Sequence, residues 1–516
     1  MTDEEKSRII RNILGSHKDF WQIQQPMMRR YRDVYMTEFY KSVQLNDETT
    51  IRVETSDAYV FVESFIASLF EKNPSVEVDS LKTDKENVDL CRSACNSFLS
   101  ENRNSLENAS RLALIYPMSF LKASPKVSED PLNRVSIRAI EPWNVILDRE
   151  ADLWNEQRFV GHHSKEIGKN DAMPDDLLFI EIVEFYDLEE DKLYIFSPNY
   201  KLTGGFLSKE KIPLRNYDDT PLVPIAPLYY SRNPSSPMDG YSALSRVYDQ
   251  LFEKNVLRTF WANAVRRDSR QYLYKEGTID EESLAKLSAG QDGLMIPIDN
   301  ESIDGIIRAV PVEPLSSNFE RYQQAVEADI QRGSIITPNA RGEATKATAT
   351  EITALSFYTS SEIGRMARER DEAIEALAKI YTRMLVYTLL PDEKPVILVG
   401  KKARFITADS LDHKFRYFAL DQASTPLSKE MKKRQLLELL PVLGQLGVPQ
   451  DKILEDIVRA FELNEAYIEK AEMDEGSLSK ARSAEVVQEG PTSSAEVLAE
   501  SLVNDQRQIP LPVPGR

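Results

Sequence analysis

Apolar residues recur at helical spacing through residues 1–120. Ile9, Ile10, Ile13, Phe20 and Ile23 trace one stripe, and Tyr31, Tyr35 and Phe39 another. Val60, Phe61, Phe65, Ile66, Leu69 and Phe70 predict a strongly apolar helix that stops near Asn73-Pro74. Cys91 to Phe98 and Leu106 to Ile115 continue the pattern. The period then changes to two. RVSIRAI alternates, IEPWNVILD carries Pro142 as a breaker, and LLFIEIVEFYDL with DKLYIFSP predicts a hairpin or meander. TGG at Thr203 to Gly205 marks a turn. PLVPIAPLYY, dense in proline, predicts an extended connector or an edge strand.

Helical spacing returns after Gly240 and holds through Leu244, Val247, Leu251, Leu257, Phe260, Trp261 and Ala264. A short mixed module follows: strand-like QYLY, an acidic helix from Thr278 to Leu287, then GLMIPID and GIIRAVPV. A capping box at Ser317-Asn318-Phe319-Glu320 opens a helix with Phe319, Tyr322, Val326 and Ile330 on its apolar face, ended by Gly333. The loop ITPNARGEATK leads into a second box, Thr348 to Glu351, and a helix that runs to Pro391. At 1.5 Å per residue that helix is roughly 60 Å long, and Gly364 is its candidate kink. Strands VILVG, ARFITA and KFRYFAL precede a helical stretch from Ser428 to Met473. Residues 476–516 lose periodicity and read as a disordered tail.

Composition narrows the function. The 516 residues carry 83 acidic against 64 basic side chains, a net charge of −19, which argues against binding nucleic acid over the whole surface. No apolar run reaches the ~18 residues of a membrane span. The acidic start MTDEEKSRII lacks the pattern of a signal peptide, so an intracellular product is expected. Cys91 and Cys95 share a helix face and read as small buried hydrophobes.

A search for chemistry returns no catalytic set, no cofactor motif and no metal set. Neither G-x-x-x-x-G-K-[ST] nor G-x-G-x-x-G occurs. Gly240-Tyr241-Ser242-Ala243-Leu244 starts like a nucleophile elbow but ends in Leu, and Ser242 reads as a helix cap. His162 and His163 are adjacent in a strand and face opposite ways. Glu189, Glu190 and Asp191 read as a solvated turn. Arg258, Arg266, Arg267 and Arg270 cluster at a helix end, either solvated and paired or contacting phosphate or protein. Arg365, Arg368 and Arg370 alternate with Glu362, Glu369 and Asp371, the pattern of an ion-paired helix face.

The order of these pieces carries a resemblance. PLYYSRNPSSPMDGYSALSRVYDQLFEKNVLRTFWANAVRR is a Pro-rich entry and Gly-Tyr-Ser turn into a long helix. A small α/β insert, a returning helix, a Pro/Gly/Thr loop and ATATEITALSFYTSSEIGRMARERDEAIEALAKIYTRML follow. Over residues 1–475 the chain resembles the portal proteins of tailed bacteriophages. IEPWNVILDREADLWNEQRFVGHHSKEI is similar to the family's wing.

The resemblance implies an α+β, mainly α, ring subunit with wing, stem, clip and crown. Residues 1–239 would be the helical and β wing region, 240–268 the first stem helix, 269–314 the α/β clip and 315–335 the second stem helix. Residues 336–347 would be the tunnel loop, with Asn339, Arg341, Gly342, Glu343, Thr345 and Lys346 facing the channel. Residues 348–390 would form the long tunnel or wing helix, 391–427 wing strands, 428–475 a helical crown and 476–516 the tail. Arg258, Arg266, Arg267 and Arg270 would be stem or clip contacts. The implied assembly is a homododecamer at a capsid vertex of the virion, assembled in the host cytoplasm. It would be a conduit for double-stranded DNA during packaging and ejection. Its partners would be itself, the major capsid protein, the terminase packaging motor and tail adaptor proteins, with no membrane and no enzyme activity of its own. A ring of about twelve upright helices, each ~10 Å wide, encloses roughly 28 Å. A mainly acidic wall would not hold passing phosphates. The competing readings are another virion ring or scaffold without a DNA duct, and a metal-dependent nuclease or transferase whose site forms only in three dimensions.

Overall fold

A computed structural model describes residues 2–43, 51–80, 83–151, 153–170, 173–198, 205–234, 236–268, 272–274, 281–282, 307–309, 317–334, 349–399 and 402–420. All of them belong to one compact unit, Met1–Ser428. The proposed crown and tail, nearly all of the clip and the tunnel loop lie outside the described residues. The fold class is mixed α+β.

Helix α1 (Asp3–Tyr35) begins at a capping box in which Thr2 and Glu5 satisfy each other's backbone amides. Its buried apolar residues are Ile10, Leu14, Trp21, Met28 and Val34, while Ile9 and Ile23 are exposed. Of the predicted stripe, Ile10 is buried and Ile13 and Phe20 are partly covered by the core. A single turn, α2 (Phe39–Ser42), and α3 (Asp57–Leu69) follow. Phe61, Phe65, Ile66 and Leu69 of α3 are buried as expected, and Val60 is exposed. Two arginines close the C-terminal end of α3. Arg370 donates to the Leu69 carbonyl and Arg103 to that of Phe70, which places cations at the negative end of the helix.

Strand β1 (Val76–Asp79) leads to α4 (Lys85–Glu101) and α5 (Arg103–Ile115). Cys91 and Cys95 are free and buried on α4, beside the Thr382 hydroxyl. Strands β2 (Ser119–Pro125), β3 (Val135–Ile140) and, further along, β9 (Ile225–Leu228) form an antiparallel sheet in the order β3-β2-β9. The proline-rich β9 is an edge, because Pro227 has no N–H to give a further strand.

The second sheet has five strands in sequential order: β4 (Val145–Leu147), β5 (Phe159–Asn170), β6 (Met173–Asp187), β7 (Lys192–Phe196) and β8 (Phe206–Lys211). Pro142 starts the short 3-10 turn that precedes β4. Alternation gives this sheet two apolar faces. Val145, Leu147, Val160 and Tyr186 meet the three-stranded sheet, whereas Ile146, Val183, Phe185 and Phe196 pack under Ile10 and Leu14 of α1. In the acidic turn after β6, Glu189 and Glu190 are exposed as expected, and two cations also tie the turn down. Lys6 of α1 reaches Asp187 and Glu190, and Arg215 pairs with Asp191 at 2.6 Å.

A small hairpin, β10 (Arg232–Asn233) with β11 (Ser236–Gly240), leads up to Gly240, and the long helix expected directly after Gly240 starts later, at Tyr248. Gly240 ends that hairpin, and a Cβ on it would overlap the Pro117 carbonyl oxygen. Ser242 is buried. It donates to the Ile115 carbonyl at 2.6 Å and accepts from the amide of Leu244, just ahead of a 3-10 turn, Leu244–Arg246, whose N-cap is Ala243 rather than the expected Ser242. Helix α6 then runs over Tyr248–Asp268. Strands β12 (Tyr272–Tyr274) and β13 (Ile307–Ala309) pair antiparallel. Helices α7 (Ser317–Ser334) and α8 (Ala349–Thr388) come next, and the α8 helix continues unbroken through Gly364. The chain returns through β14 (Val396–Val399), β15 (Lys402–Phe405), the turn α9 (Ala408–Leu411) and β16 (Arg416–Ala419), which pairs with β1. The main core joins α3, α4 and α5 to the buried face of α8 (Ile363, Ile374, Leu377, Tyr381, Leu385).

Gly240→Ala should destabilise the chain by roughly 2–3 kcal/mol, because backbone rather than a flexible side chain occupies the space for the new methyl group. Urea unfolding followed by circular dichroism checks this. A midpoint unchanged from the parent would show that the hairpin moves freely away from Pro117.

Candidate functional site

Helix α6 mixes apolar and charged residues around its circumference, with Leu251, Val256, Leu257, Phe260, Trp261 and Ala264 set among Glu253, Lys254 and Arg258. Asn255, Thr259 and Asn263, at four-residue spacing, share one face. That face holds an extended segment, residues 51–55, by its main chain. The Asn263 amide accepts from the Ile51 amide at 3.0 Å and donates to its carbonyl at 2.8 Å. Thr259 accepts from the Val53 amide at 3.0 Å. Asn255 accepts from the Thr55 amide at 2.9 Å and from its hydroxyl at 3.0 Å. Tyr40 of α2 closes the array, with its hydroxyl against Thr259 and the Asn255 carbonyl. Three side chains thus do for residues 51, 53 and 55 what a partner strand would do. All three stand in the sequence stretch that carries the resemblance, yet none of them was singled out from the sequence for this role; their four-residue spacing is the signal that could have found them.

The opposite side of α6 meets α7. Lys254 and Arg258 lie 3.8 and 3.7 Å from Glu327, Trp261 packs edge-on to Phe319, and the Tyr322 hydroxyl reaches Glu253. Gly333, at the far end of α7, sits against Val247. The two helices are therefore antiparallel. Lys254 also pairs with Asp57 at 2.9 Å, which fixes the helix pair to the start of α3.

The sequence-predicted site residues divide accordingly. Arg258 is used within the protein, paired with Glu327 and 5.8 Å from the Trp261 ring. Arg266 and Arg267 end α6, whose backbone alone is described there, and Arg270 lies outside the described residues. Asn339, Arg341, Gly342, Glu343, Thr345 and Lys346 also lie outside them. At Gly364 an added Cβ would meet nothing within 4 Å. On the predicted charged face of α8, Arg365 and Arg370 are ion-paired while Arg368 is exposed, and several partners lie beyond the helix itself. Glu362 binds Arg365 and Arg246, and Glu369 and Glu372 both bind Arg232.

A second polar cluster lies between the sheets. Lys122 of β2 crosses to Glu184 of β6, 2.7 Å from both carboxylate oxygens, and to Nδ1 of His162 at 3.1 Å. Tyr186 donates to the same carboxylate at 2.9 Å. His163 faces the other way, toward Glu181 at 3.9 Å and the side of α1 that carries His17 and Lys18. His17 is 2.8 Å from the Trp143 carbonyl. Burial, more than any neighbour, drives all three imidazoles toward the neutral form. His17 and His162 are held to about 4, and His163 also lies below its ordinary value. Among the described residues no group of three or more His, Cys, Asp or Glu side chains is placed to hold a metal ion, and no helix is long and apolar enough to cross a membrane.

No protein-family model matches the chain, and no curated protein matches it either.

Asn255→Ala should cost about 1–3 kcal/mol, since it strands the Thr55 amide in a half-buried site. Amide exchange should speed up at Ile51, Val53 and Thr55 together, and a change confined to Thr55 would show that the rungs are independent. The histidines give a pH dependence of known sign. Each has a folded pKa below its unfolded value of about 6.5, so its contribution is present above that pH and is lost as pH falls toward 4. Urea midpoints should drop between pH 7 and pH 4.5, and less steeply in His162→Gln, whose parent side chain faces Lys122, Glu184 and Arg138. Equal slopes in the two proteins would show that His162 does not contribute.

Proposed function

We propose that this chain is a portal-type ring subunit. In this reading a closed ring at a capsid vertex of the virion conducts double-stranded DNA during packaging and ejection. The ring also docks the packaging motor and the tail adaptors. The observation that carries the proposal is the antiparallel pair α6–α7, linked across β12–β13 and followed by the 40-residue helix α8, in the order that the family resemblance implies. α6 and α7 would be the stem, β12–β13 part of the clip, the two sheets the wing, and residues 336–347 the channel loop.

Two further features support it. Phe260 and Val265 of α6 are large apolar side chains left exposed in the single chain, as on a helix that a neighbouring copy covers. The net charge of −19 gives a channel wall little affinity for phosphates in transit. In this reading the chain is a duct and the partner motor supplies the ATP chemistry.

Size-exclusion chromatography with light scattering should show a species of about 0.7 MDa, the mass of a homododecamer of the 58.9 kDa chain. Electron micrographs down its axis should show a pore wide enough to pass a duplex. A stable monomer at every concentration would overturn the ring. A ring with a closed or narrow centre would keep the assembly and remove the DNA duct.

A further inference from the structure

The β5–β6 hairpin outruns the sheet that carries it. β4 pairs with β5 only over Val160 to His162, and β7 pairs with β6 only over Val183 to Asp187. From Ser164↔Ile182 to Asn170↔Met173 the two strands pair with each other and, among the described residues, with no third strand. At about 3.3 Å per residue the protruding arm is on the order of 20 Å long. A two-stranded ribbon standing alone in water is marginally stable, and its open edges invite pairing.

The sequence of the arm does not suit solvent. Leu177, Leu178, Phe179 and Ile180 are consecutive. Successive strand residues belong to opposite faces, so a run without alternation marks a strand covered on both sides. The arm also carries Glu166, Asp175, Asp176 and Glu181 against Lys165 and Lys169, a net negative charge that disfavours nucleic acid and anionic lipid as its cover.

The same chain presents a surface of the opposite character. The β14–β15 ribbon exposes Val396, Leu398 and Phe405 by 54, 67 and 64 %. Val396 and Phe405 are cross-strand partners, so the apolar side chains share one outer face. Exposed Lys394 and Lys402 stand at its rim.

We propose that the β5–β6 arm of one copy docks on the outer face of the β14–β15 ribbon of the next. An acidic apolar arm and a basic-rimmed apolar ribbon at two different places on one chain make a head-to-tail contact, the kind that closes into a ring when its rotation permits. The inference rests on the assembly reading above and adds to it the surfaces that meet.

The test places the photo-cross-linker p-benzoylphenylalanine at position 179 in the full chain. It uses assembled protein mixed from isotopically labelled and unlabelled copies. Adducts should join position 179 of one copy to a peptide containing residues 394–405 of another. Adducts within one chain, adducts to another surface, or none at all would overturn the proposal. A second variant, Leu398→Glu with Phe405→Glu, alters exposed positions only. It should keep the parent's thermal unfolding midpoint and assemble at least roughly tenfold more weakly. Unchanged assembly would also overturn the contact. Rings that persist with same-chain adducts would remove the arm contact and leave the ring. Open oligomers linked through 179 and 394–405 would keep the contact and remove the ring.

Discussion

The burial of the second half of α8 is the constraint on which the rest of this chain depends. Leu377, Ala378 and Leu385 are wholly enclosed, and Tyr381 stacks on Phe98 of α4 with ring centroids 3.9 Å apart. Helices α3 and α4, strands β2 and β9, and the late strand β16 all pack on it. β16 then pairs with β1, so a segment from beyond α8 completes a sheet begun before α4. The core cannot close until the long helix is in place, and this ties the N-terminal and C-terminal parts of the unit into one cooperative structure.

Charge then fixes how α8 meets the strands beside it. Arg232, Arg246 and Arg365 meet Glu362, Glu369 and Glu372, and Arg365 also donates to the Tyr230 carbonyl at 2.6 Å. Several of these groups are half-exposed, so each pair adds little stability by itself. Their effect is to set the register of the helix against the β9–β10 segment. Buried Arg370 differs, because it holds Asp371 and the end of α3 at once, and removing it would take a charged donor from both.

Much of this was legible in the sequence where a local rule decides the outcome. Three prolines made β9 an edge, the i, i+4 spacing put both cysteines on a buried face, and strand alternation sent His162 and His163 to opposite sides. The failures share a different cause. The predicted stripe of α1 held only in part, since Ile10 is enclosed and Ile13 packs beside it while Ile9 and Ile23 are exposed, and the sheet beneath the helix decides which side is covered. The exposure of Glu190 was legible, but its contact with Lys6 was not, because the two are 184 residues apart. Gly240 looked like a helix start, yet its role is to let two backbone segments touch. For the site, the helix pair was legible, but the apolar positions of α6 were followed and Asn255, Thr259 and Asn263 passed over. That their face holds residues 51–55 was not legible either, since nothing in an extended pentapeptide names the helix that reads it.

That contact carries a limit in its own geometry. Four helical residues rise about 6.0 Å, whereas two extended residues span about 6.6 Å, so each rung of the array falls out of step by roughly 0.6 Å. Over the observed rungs at Asn263, Thr259 and Asn255 the drift is absorbed, with bonds of 3.0, 3.0 and 2.9 Å. Another rung or two would carry it to around 2 Å, beyond what a hydrogen bond near 3 Å tolerates. A helix can therefore imitate a β partner only briefly, and the length of the held segment is set by the mismatch of two periodicities rather than by the supply of side chains.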